Sequence, residues 1–276
     1  MAYSRMKGKS LKARFQAIPK HRKLAFGLVL TVLPLIFFLN LFIFSHVLAL
    51  GDTYEDRYQM KKLRLETAHG NVEFVRSTNE KVHIDVLQTN SKERRIKVKS
   101  VGDTISVVER YGQFSQFGSR ASDEPSRYKI RVALPSSMTS IEVEAEQVTG
   151  QGLIAKTIVL EANAINVKKL ESDRLRVETR SDTTLETVRV VTGDIRSYRN
   201  ATVSDIVVNQ SMTIQTEAGT LAYAPRNATG QVTVTTSGNV TASERFNEIG
   251  GGVYHLSNSN RPNIELISET GKVELK

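Results

Sequence analysis

The sequence predicts an all-β body, a single-stranded stack of short strands of the β-solenoid or β-helix type, preceded by one N-terminal transmembrane helix. Three observations predict it. Leu24 to Leu50 contains no Asp, Glu, Lys or Arg, and about 20 apolar residues suffice for a helix to cross a bilayer core. From Lys61 onward, apolar residues alternate with polar ones in short runs, the pattern of half-buried strands. A Gly-centred turn pattern then recurs at intervals of about 20 residues, as in stacked repeats.

Residues 1–23 form a basic tail carrying Arg5, Lys7, Lys9, Lys12, Arg14, Lys20, Arg22 and Lys23 and no acidic residue. Lys20, Arg22 and Lys23 flank the apolar run directly, so the positive-inside rule keeps the N-terminus cytoplasmic and exports the rest. The same residues suit anionic lipid headgroups. The chain carries a formal charge of +9. Setting the tail aside leaves 30 basic against 29 acidic residues. A nearly neutral body has no broad basic face for phosphates, so nucleic acid is not an expected partner.

Residues 24–50 read as a signal anchor, with Pro34 and Asn40 tolerated inside it. A secretory signal has the same layout, and Val47-Leu48-Ala49 has the small residues of a cleavage site. The uncharged run is, however, longer than the ~7–15 residues of a signal h-region. Residues 51–60, GDTYEDRYQM, read as a polar stalk. Alternation starts with Leu63 and Leu65, Val72 and Phe74, and Val82, Ile84 and Val86. It continues with Ile96 and Val98 and with Ile105 and Val107. Residues 111–127 break it with Gly, Ser and Gln and read as a surface loop. There Tyr111, Phe114 and Phe117 either tuck the loop onto the body or form a candidate contact patch. From Tyr128 alternation resumes through Val234. A second interruption, 246–263, holds Gly250-Gly251-Gly252, read as a flexible hinge.

The recurrent unit is a small polar residue, Gly, one further residue and a branched apolar one. It is centred on Gly70, Gly193, Gly219, Gly238 and Gly271. It reads as a tight turn followed by a strand that sends its first branched residue inward. One such coil cannot bury its own apolar face, so stacking supplies the core. The segments ETAHGNVEF, TEAGTLAY, TTSGNVTAS and SETGKVELK resemble the strand turns of the DUF4097 family of bacterial β-strand-repeat proteins. So does YKIRVALPSSMTSIEVEAEQVTGQG. The resemblance covers roughly residues 61–276 and implies a right-handed, adhesin-like solenoid, often membrane-tethered. It carries over no catalytic residue.

Residues for chemistry are sparse. There is no Cys, which excludes disulfides, thiolate metal sites and Cys nucleophiles. The five His are scattered, without the i, i+4 spacing of a helical zinc site. There is no Gly-x-Ser-x-Gly elbow, no P-loop and no Asp-rich calcium repeat. Acidic pairs such as Glu142/Glu144 and Asp182/Glu186 do not stand out from others as a hydrolase dyad. Sequons at Asn200, Asn209, Asn227 and Asn239 matter only in a glycosylating pathway. No catalytic residue, cofactor or metal is expected.

The function expected is therefore a non-catalytic binding, adhesion or scaffolding module of a bacterial cell envelope, held in the cytoplasmic membrane with its C-terminal domain outside. Expected partners besides the membrane are wall polymer, a membrane protein, or another copy through the unpaired strand of an uncapped end. The alternatives are an accessory regulator of envelope-stress signalling and, more remotely, a polysaccharide-acting β-helix enzyme.

Overall fold

The computed structural model describes residues 45–56, 59–89, 94–111, 128–136, 138–227, 229–256 and 261–276, together with Val32. The chain divides into two compact units, Met1–Ser45 and His46–Lys276. The described residues of the second unit are almost entirely strand, and with Ser45 they form one mixed sheet of 17 strands.

The N-terminal strands are β1 (Ser45–Leu48), β2 (Thr53–Glu55), β3 (Lys62–Arg76), β4 (His83–Thr89), β5 (Arg94–Val101), β6 (Thr104–Tyr111) and β7 (Tyr128–Leu134). Three long ones come next: β8 (Met138–Thr179), β9 (Thr183–Ser197) and β10 (Ala201–Thr216). The last are β11 (Thr220–Pro225), β12 (Gln231–Thr236), β13 (Val240–Ala242), β14 (Asn247–Gly250), β15 (Val253–His255), β16 (Asn263–Ser268) and β17 (Lys272–Leu275).

The sequence alternates apolar and polar residues, and a strand sends successive side chains to opposite faces. Laid rung on rung in parallel, the strands align their inward residues in columns. Ile165 lies opposite Thr183, which lies opposite Ala201. Each step is 18 residues of chain. The column Val177, Ile195, Ile214, Leu266 and Val234 crosses five rungs, and every member is buried. Burying a Val, Leu or Ile side chain is worth about 1.5–3 kcal/mol, so such columns supply the core that no single rung can. At 42 residues, β8 is too long for one straight strand. It is several rungs run together, because its corners keep the ladder geometry.

Rung order departs from chain order at both ends. β3 lies between β8 on one side and β6 and β7 on the other, parallel to all three. The last strands also lie inside: β16 sits between β10 and β12, and β17 between β11 and β13. Antiparallel strands cover the outer rungs. β5 pairs with β6, β4 with β7, and β15 with β12. The uncapped end expected as a self-association edge is therefore covered at these rungs, and open edge moves to short strands such as β14. The run Gly250–Gly252, expected as a hinge, is the turn of the β14–β15 hairpin.

Two other expectations change. Ser45–Leu48, the end of the expected helix, is strand, and Leu48 belongs to the apolar core. The rest of the run, apart from helical Val32, lies outside the described residues. Among those described, no helix is long and apolar enough to cross a membrane. The expected stalk joins the body, with β2 antiparallel to β4 and Tyr54, Asp56 and Met60 buried.

The corners are the demanding part of each rung. One holds Lys169, Thr187 and Asp205, at φ of 55°, 58° and 53°, a left-handed conformation costing roughly 1–2 kcal/mol per L-residue. The strain is offset by bonds between rungs. Thr187 Oγ1 donates to Asp205 Oδ2 (2.9 Å), and Arg226 Nε and Nη2 donate to the two oxygens of that carboxylate (2.6 and 3.0 Å). At another corner Gly219, Gly271 and Gly238 lie one above the other. A Cβ on Gly271 would fall onto the carbonyl oxygen of Gly219, and one on Gly238 onto that of Gly271. The atoms met are backbone, which leaves nothing soft to yield. Gly271→Ala is therefore expected to cost at least about 2–3 kcal/mol, read as a lowered urea midpoint. Gly102→Ala, where a Cβ meets nothing within 4 Å, should lose only the ~1 kcal/mol of its left-handed φ. Equal midpoints for the two variants would refute the stacked corner.

Candidate functional site

Alternation leaves every second side chain on the outside of a rung, so outward residues also align in rows. Beside one corner two such rows enclose a groove of about 910 Å³. One rim is Glu144, Glu161, Glu178, Arg196 and Gln215; the other is Glu146, Asn163, Arg180, Tyr198 and Glu217, with His69 at the end nearest β3. The rims climb the stack. Glu144, Glu161 and Glu178 recur every 17 residues along β8, Glu178 lies opposite Arg196, and Arg196 opposite Gln215. With strands ~4.8 Å apart, the six rungs from β3 to β10 give a groove roughly 24 Å long.

Its concavity comes from small side chains. Ala145, Ala162, Thr179 and Ser197 occupy the position between the rims and are all nearly or fully buried. The two hydroxyls are held rather than free. Thr179 donates to Ser197 Oγ (3.0 Å), whose single hydrogen lies between the carbonyl oxygens of Ser181 (2.7 Å) and Asn200 (2.9 Å). The corner backbone is bonded rung to rung: Arg180 N–H to Ala162 O (3.2 Å), Tyr198 N–H to Thr179 O (3.0 Å), and Glu217 N–H to Ser197 O (3.2 Å). The groove therefore offers side chains, and its own peptide groups are used up.

Five carboxylates face two guanidinium groups, so the groove is acidic. Glu178 is paired with Arg176 (3.2 Å) and Arg196 with Asp194 (3.5 Å). Among the described residues no ion pair engages Glu144, Glu146 or Glu161. Tyr198 is 55% exposed. Beside it the corner is fixed by Asp182 and Asn200. Asn200 Nδ2 donates to Asp182 Oδ1 (2.8 Å), and Asn200 Oδ1 accepts from Thr220 N–H (2.8 Å). Desolvation pushes the Asp182 carboxyl up. The bonds from the Asn200 side chain and backbone, with the field of Arg199, outweigh it and hold the carboxyl below its ordinary value. A second hollow of about 320 Å³ lies by the left-handed corner and is lined by Arg76, Lys169 and Arg189 with Glu171.

Of the residues singled out from sequence, Gly219, Gly238 and Gly271 share the stacked corner. Gly70 and Gly193 do not form turns: both lie inside strands, β3 and β9. Gly70 is small because a Cβ would press on Thr67. Gly193 makes room for Met212 on the next rung. Tyr111 ends β6; Phe114, Phe117, Lys20, Arg22 and Lys23 lie outside the described residues. Glu142 accepts from Ser140 (3.2 Å) and Glu186 pairs with Lys168 (2.6 Å), which are structural roles. The sequon Asn200 is consumed by its corner bonds. The rims were missed. Their signal is the 17-residue recurrence of Glu144, Glu161 and Glu178, which emerges only when the chain is aligned by rung rather than by Gly. Among the described residues, no three His, Cys, Asp or Glu side chains converge as metal ligands.

No protein-family model matches the chain, and no curated protein sequence does. Among solved structures it is similar to a proposed cell adhesion protein of Clostridium sporogenes, at 12% identity over 82% of this chain and 99% of that one, with a TM-score of 0.32. It is also similar to a proposed adhesin of Bacteroides fragilis (10% identity, 82% and 96% coverage, TM-score 0.40). A third likeness is to one of Parabacteroides distasonis (11%, 82% and 98%, 0.36).

The Asp182–Asn200 corner has a pH signature. A carboxyl whose folded pKa lies below its unfolded value stabilises the fold above the unfolded value, and loses that contribution as pH falls through the folded one. The stability gap between the native chain and Asp182→Asn is therefore expected to be full at pH 7 and to close below about pH 3.8, the ordinary Asp value. Urea titrations of both proteins across that window check it; a gap that widens on acidification would contradict it.

Proposed function

We propose that the chain is a non-catalytic binding module of a bacterial cell envelope, anchored in the cytoplasmic membrane by one N-terminal span and displaying a β-solenoid outside. The observation that carries the binding role is the groove beside the corner. It arises from parallel, in-register rungs and repeats the same side-chain chemistry along its length. The rungs, offset by 17 to 19 residues where they keep to chain order from β8 to β10, support reading the body as solenoid coils. The resemblance of residues 61–276 to the DUF4097 family belongs to the same reading.

The anchor rests on the apolar run and its basic flank. With Ser45 in strand, the run left for a span is Leu24 to Phe44, 21 residues, still enough for a bilayer core at ~1.5 Å per residue. Retention of the span is supported by the turn on its C-terminal side. Ala49 N–H donates to Asp52 Oδ2 (2.6 Å), Asp52 N–H donates to Ala49 O (3.0 Å), and Leu48 is buried. Cutting after Ala49 would sever this turn and remove a core residue.

Expressed in bacteria, the full chain is expected in the membrane fraction at uncleaved mass. External protease should degrade its C-terminal body in spheroplasts and spare an N-terminal tag. Detergent-solubilised chain should retain envelope material on a column. Release as a shortened soluble protein would overturn the anchor; a column that holds no wall or envelope component would overturn the binding role.

A further inference from the structure

We infer that the groove between the rims Glu144–Gln215 and Glu146–Glu217 takes a linear, uncharged glycan lying along the stack, across the strands. The inference rests on the proposed binding role and names its ligand class.

Length and period come first. A groove crossing six rungs suits a polymer, because its chemistry is repeated rather than convergent. Each rim presents a new side chain every ~4.8 Å. An extended 1,4-linked pyranose chain advances by close to that spacing per ring, so successive rings meet equivalent pairs of rim residues. A peptide chain does not fit as well. Its side chains recur on one face every two residues, roughly 6.6 Å, out of step with the rungs. Nor can it add as a strand at this corner, where the backbone groups are already bonded from rung to rung.

The functional groups fit the same ligand. Glu144 and Glu161 have carboxylate oxygens to accept from sugar hydroxyls, and Asn163 and Gln215 carry amides that both donate and accept. The half-exposed ring of Tyr198 gives the C–H face of a pyranose an apolar platform with a polar tip. The sign of the charge excludes the neighbouring classes. Five Glu against Arg180 and Arg196 repel phosphodiester and uronate polymers, a repulsion that a chain of uncharged sugars does not meet.

The test is calorimetric titration of the full chain, in detergent, with 1,4-linked hexamers of N-acetylglucosamine and of glucose, and with hexagalacturonate and polyphosphate. At least one neutral hexamer is expected to bind, its dimer at least tenfold more weakly, and neither polyanion. Tyr198→Ala, at an exposed position, should weaken the hexamer about tenfold at unchanged melting temperature. Glu144→Lys with Glu161→Lys should weaken it too and admit hexagalacturonate. Three results would overturn the inference: no neutral hexamer bound by a chain that still retains envelope material, polyanions preferred, or hexamer binding indifferent to both sets of substitutions. The first leaves the binding module standing and removes only the glycan. Loss of envelope retention itself would instead strike the broader reading.

Discussion

Everything in this body depends on one constraint: a rung in a parallel stack must have its outward-pointing N–H and C=O groups met by another rung. Inside the stack, neighbours meet it at corners as well as along straight segments, as Arg180, Tyr198 and Glu217 do through their amides. The need does not disappear at the ends, where an unpaired rung would be an open template for other chains. The chain meets it by leaving its own order. β3 is taken inside the stack at one end and β16 and β17 at the other, and antiparallel strands β4, β5 and β15 cover the rungs beyond.

The same constraint explains the corners. A rung must turn within a few residues without losing register with its neighbours, so each corner position becomes a column with one recurring solution. At one it is a left-handed residue steadied by the next rung, Thr187 on Asp205 and Asp205 on Arg226. At another the column starts with polar side chains, Asp182 and Asn200, and ends with Gly219, Gly271 and Gly238. The change has a physical cause. Asn200 Oδ1 fills the space a Cβ on Gly219 would need, and beyond that the backbones approach until only glycine fits. The polar and the glycine solutions are alternatives for the same place.

This explains what could be read in the sequence and what could not. Strand content was legible because Val143, Leu160, Val177 and Ile195 alternate with polar residues whatever the topology. Three repeat glycines were legible because they mark one column. Gly193 resembled them in local sequence, yet its smallness answers to Met212 on another rung, a contact with no local trace. The order of the rungs was hidden for the same reason: nothing near Asn263–Ser268 indicates that it slots between Thr216 and Thr236 rather than beyond them. Ser45–Leu48 was misread because four residues near the end of an uncharged run, two of them apolar, carry too little period to separate helix from strand. The groove escaped because it is built from non-adjacent residues that become neighbours only once the step between rungs is known.

That step also explains why the groove lies where it does. Both ends of the stack are assembled from segments distant in sequence, inserted and then covered, so a side chain there has no periodic neighbours. Only through β8, β9 and β10 do rungs succeed one another in chain order at nearly constant spacing. There outward residues recurring every 17 to 19 positions become a straight row on the surface. Small inward residues on the same rungs, Ala145, Ala162, Thr179 and Ser197, draw the wall in beneath it. A groove with repeating chemistry can form only in this regular middle section, and the irregular ends serve it by closing the hydrogen-bonding edges that would otherwise compete for partners.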